Sequence, residues 1–159
     1  MTRILLLSTY PENEPSIRFR YLQYEKMFRE NDYRLKHKPF IGKYLYSIKN
    51  NKGLIYLLLK IDLLTYYFLK RIITVLVCSL FAKVVIIQKE IIPFGPPFFE
   101  KYLKFIGKKI IYDFDDAIFS YPESDLSTWR SFWLDKAKIS KIIKLADRVI
   151  VGNKFLADF

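Results

Sequence analysis

The chain has 159 residues, of which 52% are hydrophobic and 18% aromatic, and its formal net charge is +11. This length suffices for one domain with a sizeable core, and the composition excludes a disordered or collagen-like chain. The single cysteine, Cys78, excludes an internal disulfide, and the single histidine, His37, excludes a histidine-rich metal site. We therefore expect a protein of a reducing compartment, the cytoplasm, without a bound metal.

The hydrophobic pattern predicts strands and helices in strict alternation. Short apolar or alternating runs predict strands, and Pro-free runs with helical spacing predict helices. In chain order we predict a strand at 4–8, a helix from Pro15-Ser16 to Asn31-Asp32, a strand at 34–39, a helix at 54–81 broken near Lys70-Arg71, a strand at 83–88, a helix at 98–106, a strand at 109–112, a helix at 128–145, a strand at 148–151 and a helix opened by Asn153.

Such an alternation indicates an α/β fold: a Rossmann-like, doubly wound parallel sheet with helices on both faces. Ligands of this fold bind outside the carboxyl ends of the strands. The last helix begins only a few residues before Phe159 and has no closing signal. We therefore expect residues 1–159 to form a single domain that has been cut from a longer protein.

The apolar stretch at 53–82 is hydrophobic enough to raise the question whether it spans a membrane or forms a helix of the folded domain. Lys60, Asp62, Lys70 and Arg71 interrupt it, and the longest run without a charge, residues 72–82, is about half the length that spans a bilayer. We predict a core or interfacial helix.

Three carboxylates, Asp113, Asp115 and Asp116, directly follow the predicted strand 109–112. Carboxylates this close repel one another unless a cation, a base-requiring substrate or an Arg or Lys partner binds them. We predict that they are catalytic. The alternative is a helix cap or a loop-ordering cluster, because Asp is favoured at both places.

Other polar residues at predicted strand ends are candidates for substrate binding. The helix start after the first strand can bind an anion, although Arg18 and Arg20 lie two residues apart and at most one of them can point into the site. The loop after strand 83–88 and the start of the last helix add further groups, with an ordinary N-cap as the alternative for the latter. The candidates are Ser8, Thr9, Ser16, Arg18, Arg20, Lys89, Glu90 and Asn153.

Several of these stretches together resemble the N-terminal half of a family 4-type glycosyltransferase (glycosyl transferases group 1) of the GT-B architecture. The resemblance rests on residues 3–8, on Pro15-Ser16 with the two arginines, on residues 84–90, on residues 108–119 with Asp113-Phe114-Asp115-Asp116, and on residues 146–158. It covers most of the chain in order, apart from residues 40–82.

This resemblance implies two facing Rossmann-like domains. The N-terminal one holds the acceptor, a glycan or a lipid-linked molecule of cell-envelope or polysaccharide biosynthesis. The C-terminal one, absent here, holds a nucleotide-diphosphate sugar, which is the donor substrate and no cofactor of this chain. Asp113 matches a residue that faces the acceptor and sugar, frequently as His. The chain alone is then expected to be inactive, and the enzyme to be peripheral at the inner face of the plasma membrane.

The positive charge lies in the middle of the chain, where residues 33–109 carry 15 cations and three acidic residues. Lysines there alternate with aromatic and aliphatic residues, a pattern that suits an anionic membrane surface. The alternative is a solvated basic face. The predicted membrane-facing residues are Lys36, Lys38, Lys43, Tyr44, Lys49 and Lys52.

Three other functions are compatible with parts of the pattern. Residues 110–115 resemble the nucleophile strand of haloacid-dehalogenase-type phosphatases, with Asp113 as nucleophile and Asp115 as acid/base, although Ala117 departs from that motif. Asp113 and Asp115 also match the short Asp-x-Asp motif of GT-A transferases. A non-catalytic basic module is the third, with a membrane as its partner rather than nucleic acid, because Lys exceeds Arg and the aromatic residues lie in apolar, helical contexts.

Overall fold

The computed structural model describes residues 1–48, 50–115 and 137–158. These residues form a parallel sheet whose strand order is β2-β1-β3-β4-β5. The strands are β1 (Thr2–Ser8), β2 (Tyr33–Pro39), β3 (Val84–Gln88), β4 (Lys109–Phe114) and β5 (Arg148–Val151). The α/β fold class with an all-parallel, Rossmann-like sheet is thereby confirmed.

Helices connect successive strands. After β1 come α1 (Pro15–Arg20), a 3-10 turn (Leu22–Tyr24) and α2 (Glu25–Glu30). After β2 come α3 (Lys43–Ser47) and α4 (Leu54–Ile73), and a π turn (Thr74–Cys78) continues α4. Helix α5 (Phe98–Phe105) follows β3, α6 (Lys138–Leu145) precedes β5, and α7 (Lys154–Ala157) follows β5. Within the described residues, no helix is both long and apolar enough to cross a membrane.

The hydrophobic core has two parts, one on each face of the sheet. Side chains alternate along a strand, so Leu5 and Leu7 of β1 belong to one cluster whereas Ile4 and Leu6 belong to the other. The first cluster is covered by α4, α5 and α6, and the second by α1 and α2, whose Tyr21 and Phe28 contribute to it. This arrangement is doubly wound, as predicted.

Three details of the predicted helices are corrected or limited. The first predicted helix is interrupted at the 3-10 turn, so that α1 and α2 are separate short helices. The predicted break near Lys70-Arg71 is wrong: α4 runs on to Ile73 because Arg71 is buried against backbone carbonyls rather than solvated. Of the helix predicted at 128–145, only residues 137–145 lie within the described residues, and 138–145 are helical.

The strand order determines where a ligand site is expected. Neighbouring strands β1 and β3 are connected to helices on opposite faces, so their carboxyl ends diverge into loops that leave a crevice. Ser8 and Gln88 are the last residues of these two strands and lie side by side in the register. The crevice outside these two residues is therefore the place to look for a site.

Candidate functional site at the carboxyl edge of the sheet

A row of polar side chains crosses the carboxyl ends of three adjacent strands. Ser8 pairs with Gln88, and Gln88 pairs with Asp113 in the parallel register. Strand alternation directs all three toward the face covered by α1, because Leu7, Ile87 and Tyr112 belong to the cluster on the other face. Ser8, Gln88 and Asp113 are all buried, and helix α1 covers them.

Asp113 holds α1 on the sheet. Its Oδ2 accepts a hydrogen bond from Arg20 Nε at 3.0 Å, Arg20 Nη2 donates to Oδ1, and the Tyr21 hydroxyl also donates to Oδ2. The hydrogen bond to the carboxylate raises the pKa of Arg20, and burial together with the neighbouring negative charge raises the pKa of Tyr21. We suggested a cation, a substrate, or an Arg or Lys side chain as partners of these carboxylates. Asp113 has the last of these, an arginine.

Asp115 has a different environment. It is half-buried, and Lys89 Nζ lies 3.4 Å from its Oδ1 and 5.9 Å from the centre of the Tyr10 ring. Lys89 follows β3 in the left-handed region, with φ of 66°, and its backbone N–H donates to the Asp113 carbonyl at 2.8 Å. This sharp turn brings the lysine over the end of β4.

Glu90 also forms an ion pair across the edge. Its Oε1 lies 3.0 Å from Nζ of Lys138, a buried lysine that also donates to the Ile92 carbonyl. The Glu90 carbonyl in turn accepts from the Thr9 hydroxyl at 3.3 Å, which joins the loop after β3 to the loop after β1. The predicted substrate-binding residues Thr9 and Glu90 thus lie close together.

The two serines of the first loop are engaged with neighbouring elements. Ser8 Oγ donates to the Tyr10 carbonyl at 2.7 Å and lies 2.7 Å from His37 Nε2, so the hydroxyl accepts from the imidazole N–H. Burial lowers the pKa of His37 to about 4. Ser16 Oγ accepts from Gln88 Nε2 at 3.1 Å.

Two predicted binding residues lie elsewhere. Arg18 is exposed, and its guanidinium lies 4.9 Å from the centre of the Phe19 ring, so only Arg20 of the two arginines points inward. Asn153 caps α7 by accepting from the Leu156 N–H at 2.9 Å, which is the ordinary alternative that the sequence left open. Asp116 lies outside the described residues.

Four residues of this edge were not singled out from the sequence: Tyr21, His37, Gln88 and Arg71. Gln88 could have been found from strand alternation, since it is the last residue of a confident strand. No pattern in the sequence indicated that Arg71 lies at this edge. It is buried, and its guanidinium donates to the carbonyls of Lys38, at 2.8 Å, and Ser8, at the carboxyl ends of β2 and β1.

Most of the predicted membrane-facing residues are at the surface. Lys36, Lys43, Tyr44 and Lys52 are exposed, whereas Lys38 is half-buried. Lys43 forms an ion pair with Glu12 and is thus partly neutralised. Lys49 lies outside the described residues.

The grooves differ in where they lie along the strands. A groove of about 830 Å³ is lined by Met1, Arg3, Tyr33 and Phe81, around the amino ends of the strands. A smaller groove of about 370 Å³ is lined by Glu12, His37, Pro39 and Lys43, and it reaches the carboxyl end of β2. Neither groove includes Asp113, Asp115 or Lys89, so the charged groups and the topology identify this part of the edge.

The chemistry available at the edge differs between its carboxylates. Both oxygens of Asp113 are occupied and the residue is fully buried, which disfavours it as a nucleophile and hence the phosphatase alternative. Asp115 and Lys89 retain partial access to solvent, with 22% and 14% of their side chains exposed, although Oδ1, the Asp115 oxygen nearest to Lys89, is buried.

Comparison of the sequence with protein-family models and with curated proteins gave no match.

Proposed function

We propose that this chain is the acceptor-binding lobe of a sugar transferase that uses a nucleotide-diphosphate sugar. The observation that carries the proposal is the cluster outside the carboxyl ends of β1, β3 and β4, where Asp115 and Lys89 form a half-buried ion pair near the aromatic ring of Tyr10. Carboxylate, ammonium and aromatic groups are those that bind and orient a sugar hydroxyl, and this edge of the sheet is where the fold accepts ligands.

The proposed roles divide between two carboxylates. Asp115 is the residue that contacts the acceptor and accepts its proton, with Lys89 Nζ 3.4 Å from its Oδ1 to orient the carboxylate. Asp113 is a positioning residue that fixes α1, through Arg20 and Tyr21, above the carboxyl ends. Asp113→Asn is therefore expected to weaken the anchor of α1 as well as to lower turnover.

The proposal includes a second α/β lobe that binds the donor, so transfer is tested with the intact protein that contains this sequence. Release of nucleoside diphosphate is measured with a panel of nucleotide sugars and acceptors. Asp115→Asn is expected to lower kcat by about 100-fold with an unchanged melting temperature. Arg18→Gln, an exposed charge on the same lobe, is the control and is expected to leave kcat unchanged.

Two results would contradict the proposal. Full turnover by Asp115→Asn would remove the assigned site, whereas an intact protein that transfers no sugar from any donor of the panel would remove the function.

A further inference from the structure

The amino-terminal part of α4 is an apolar segment that the described part of the chain leaves exposed. Residues 54–59 are six consecutive hydrophobic residues, and every one of them is exposed, with Leu54 at 71% and Ile55 at 73%. At 100° per residue, six consecutive positions cover the whole circumference of a helix. An exposed surface of this kind marks an interaction site.

The direction of α4 shows where this segment lies. Arg71 contacts the carbonyls at the carboxyl ends of β1 and β2, and the chain then crosses the sheet to Lys83, whose N–H bonds to the Arg3 carbonyl at the amino end of β1. Leu54 comes 17 residues before Arg71. At a rise of 1.5 Å per residue, it lies about 25 Å from Arg71 along the helix axis, on the side away from the amino edge.

The distribution of apolar residues identifies the kind of partner. A second helix or a protein groove covers one stripe of a helix, and the residues on the other side then remain polar. The tip of α4 is instead apolar on all sides. An apolar medium that surrounds the tip satisfies this pattern, and a lipid bilayer is such a medium.

Charge and aromatic residues complement an anionic bilayer surface. Residues 43–70 carry five lysines and a single acidic residue, Asp62. Lys52 lies exposed just before the tip, and Lys70 lies 5.7 Å from the ring centre of the exposed Tyr66. Lysines and tyrosines that flank an apolar segment are typical of the membrane interface.

We propose that the tip of α4, residues 54–59, inserts into the interfacial layer of an anionic lipid bilayer, with the exposed Lys52 at the phosphate groups. Insertion is shallow. The N-cap residue Gly53 offers no side-chain bond to the first turn, whose free N–H groups then find acceptors among lipid phosphate and ester oxygens. This inference concerns α4, shares only Lys52 with the predicted membrane-facing residues, and does not depend on sugar transfer.

The test measures flotation of the purified chain with vesicles of phosphatidylcholine, with and without phosphatidylglycerol. The wild type is expected to float with the anionic vesicles, and less so at raised salt. The variant Leu54→Gln/Ile55→Gln/Leu58→Gln is expected to bind at least about tenfold more weakly, because apolar transfer is lost while glutamine maintains the helix.

A matched control removes the same number of exposed hydrophobic residues at the opposite edge of the sheet. The variant Leu80→Gln/Phe81→Gln/Phe105→Gln changes side chains that are 58%, 63% and 89% exposed. Its vesicle binding is expected to equal that of the wild type. Circular dichroism melts check the folding of both triple variants, and Ile55→Gln alone provides a milder substitution with a smaller loss of binding.

The outcomes separate a bilayer from a protein partner. No flotation of the wild type, equal flotation with neutral and anionic vesicles, or unimpaired flotation of the α4 variant would each overturn the proposal. Sedimentation velocity without lipid gives the remaining outcome: a wild-type dimer that the α4 substitutions convert to a monomer, without vesicle binding, would assign the tip to a second copy of this chain.

Discussion

Arg20 and Asp113 are 93 positions apart in the chain, yet the guanidinium binds both oxygens of the carboxylate. Arg20 ends α1, and Asp113 lies near the end of β4. Their contact connects the first helix to the sheet at the edge where ligands of this fold bind. It also removes one carboxylate from direct chemistry, and leaves Asp115 as the accessible one.

Replacement of Arg20 tests this anchor. Arg20→Met leaves Asp113 buried with the Tyr21 hydroxyl as its remaining side-chain donor, so the free energy of unfolding is expected to fall by about 3 kcal/mol. Urea denaturation measures the change. Arg18→Met, on the exposed side of the same helix, is expected to change it by less than about 0.5 kcal/mol. Equal effects of the two substitutions would show that the buried pair does not stabilise the fold.

His37 is expected to make the protein less stable in mild acid. Its pKa is about 4 in the folded protein and 6.5 in the unfolded chain, because burial disfavours the imidazolium. As pH falls from 6.5 to 4, the unfolded chain takes up a proton that the folded protein does not. The free energy of unfolding therefore falls through this window, by up to about 3 kcal/mol.

Urea denaturation of wild type and His37→Gln at several pH values isolates this contribution. The variant keeps a donor for Ser8 but cannot titrate, so the difference between the two proteins should grow in favour of the variant as pH falls below 6.5. Parallel pH profiles would contradict the assignment.

Glu100 is expected to have the opposite pH dependence. Burial raises the pKa of its carboxyl, with Lys138 acting in the other direction, and its Oε1 has no hydrogen-bond partner among the described residues. A folded pKa above the unfolded value means that the folded protein binds the proton first as pH falls. Its contribution to the free energy of unfolding therefore increases from neutral pH down to the unfolded pKa. Glu100→Gln should abolish that increase in the same denaturation series.

Asn153 is expected to act as a helix cap and to contribute little else. Asn153→Ala removes the acceptor of the Leu156 N–H and is expected to lower the free energy of unfolding by about 1 kcal/mol. Asn153→Ser restores an acceptor oxygen at this position and should recover most of the loss. A large loss with both substitutions would point to a further role of the asparagine.

The sequence by itself determined the order and type of the main elements. The apolar centres of runs such as 83–88 and 109–112 have no polar side that could face water, which is typical of strands buried on both faces, and the helices between them require parallel pairing. Strand alternation even determines which face each residue of β1, β3 and β4 meets. Local signals also sufficed for the cap at Asn153, since capping depends on neighbours within one turn.

Only the tertiary structure decided which polar residues meet. Arg71 interrupts an apolar helix in the sequence, and its side chain is buried against carbonyls of two strands. Asp113 and Asp115 are equivalent in the sequence pattern, and differ only because Arg20 reaches one and Lys89 the other. Such pairings join residues far apart in the chain, and no local propensity encodes them.

The tip of α4 is another feature that local sequence signals leave open and the tertiary structure decides. Its residues are as hydrophobic as those of a core helix, and the sequence left open whether they pack inside the protein or at an interface. The length of the helix decides between these two alternatives. Only the part of the helix after Arg71 is needed for the crossover from the carboxyl edge to the amino edge of the sheet. The preceding residues extend beyond the sheet because no strand or helix among the described residues is there to cover them.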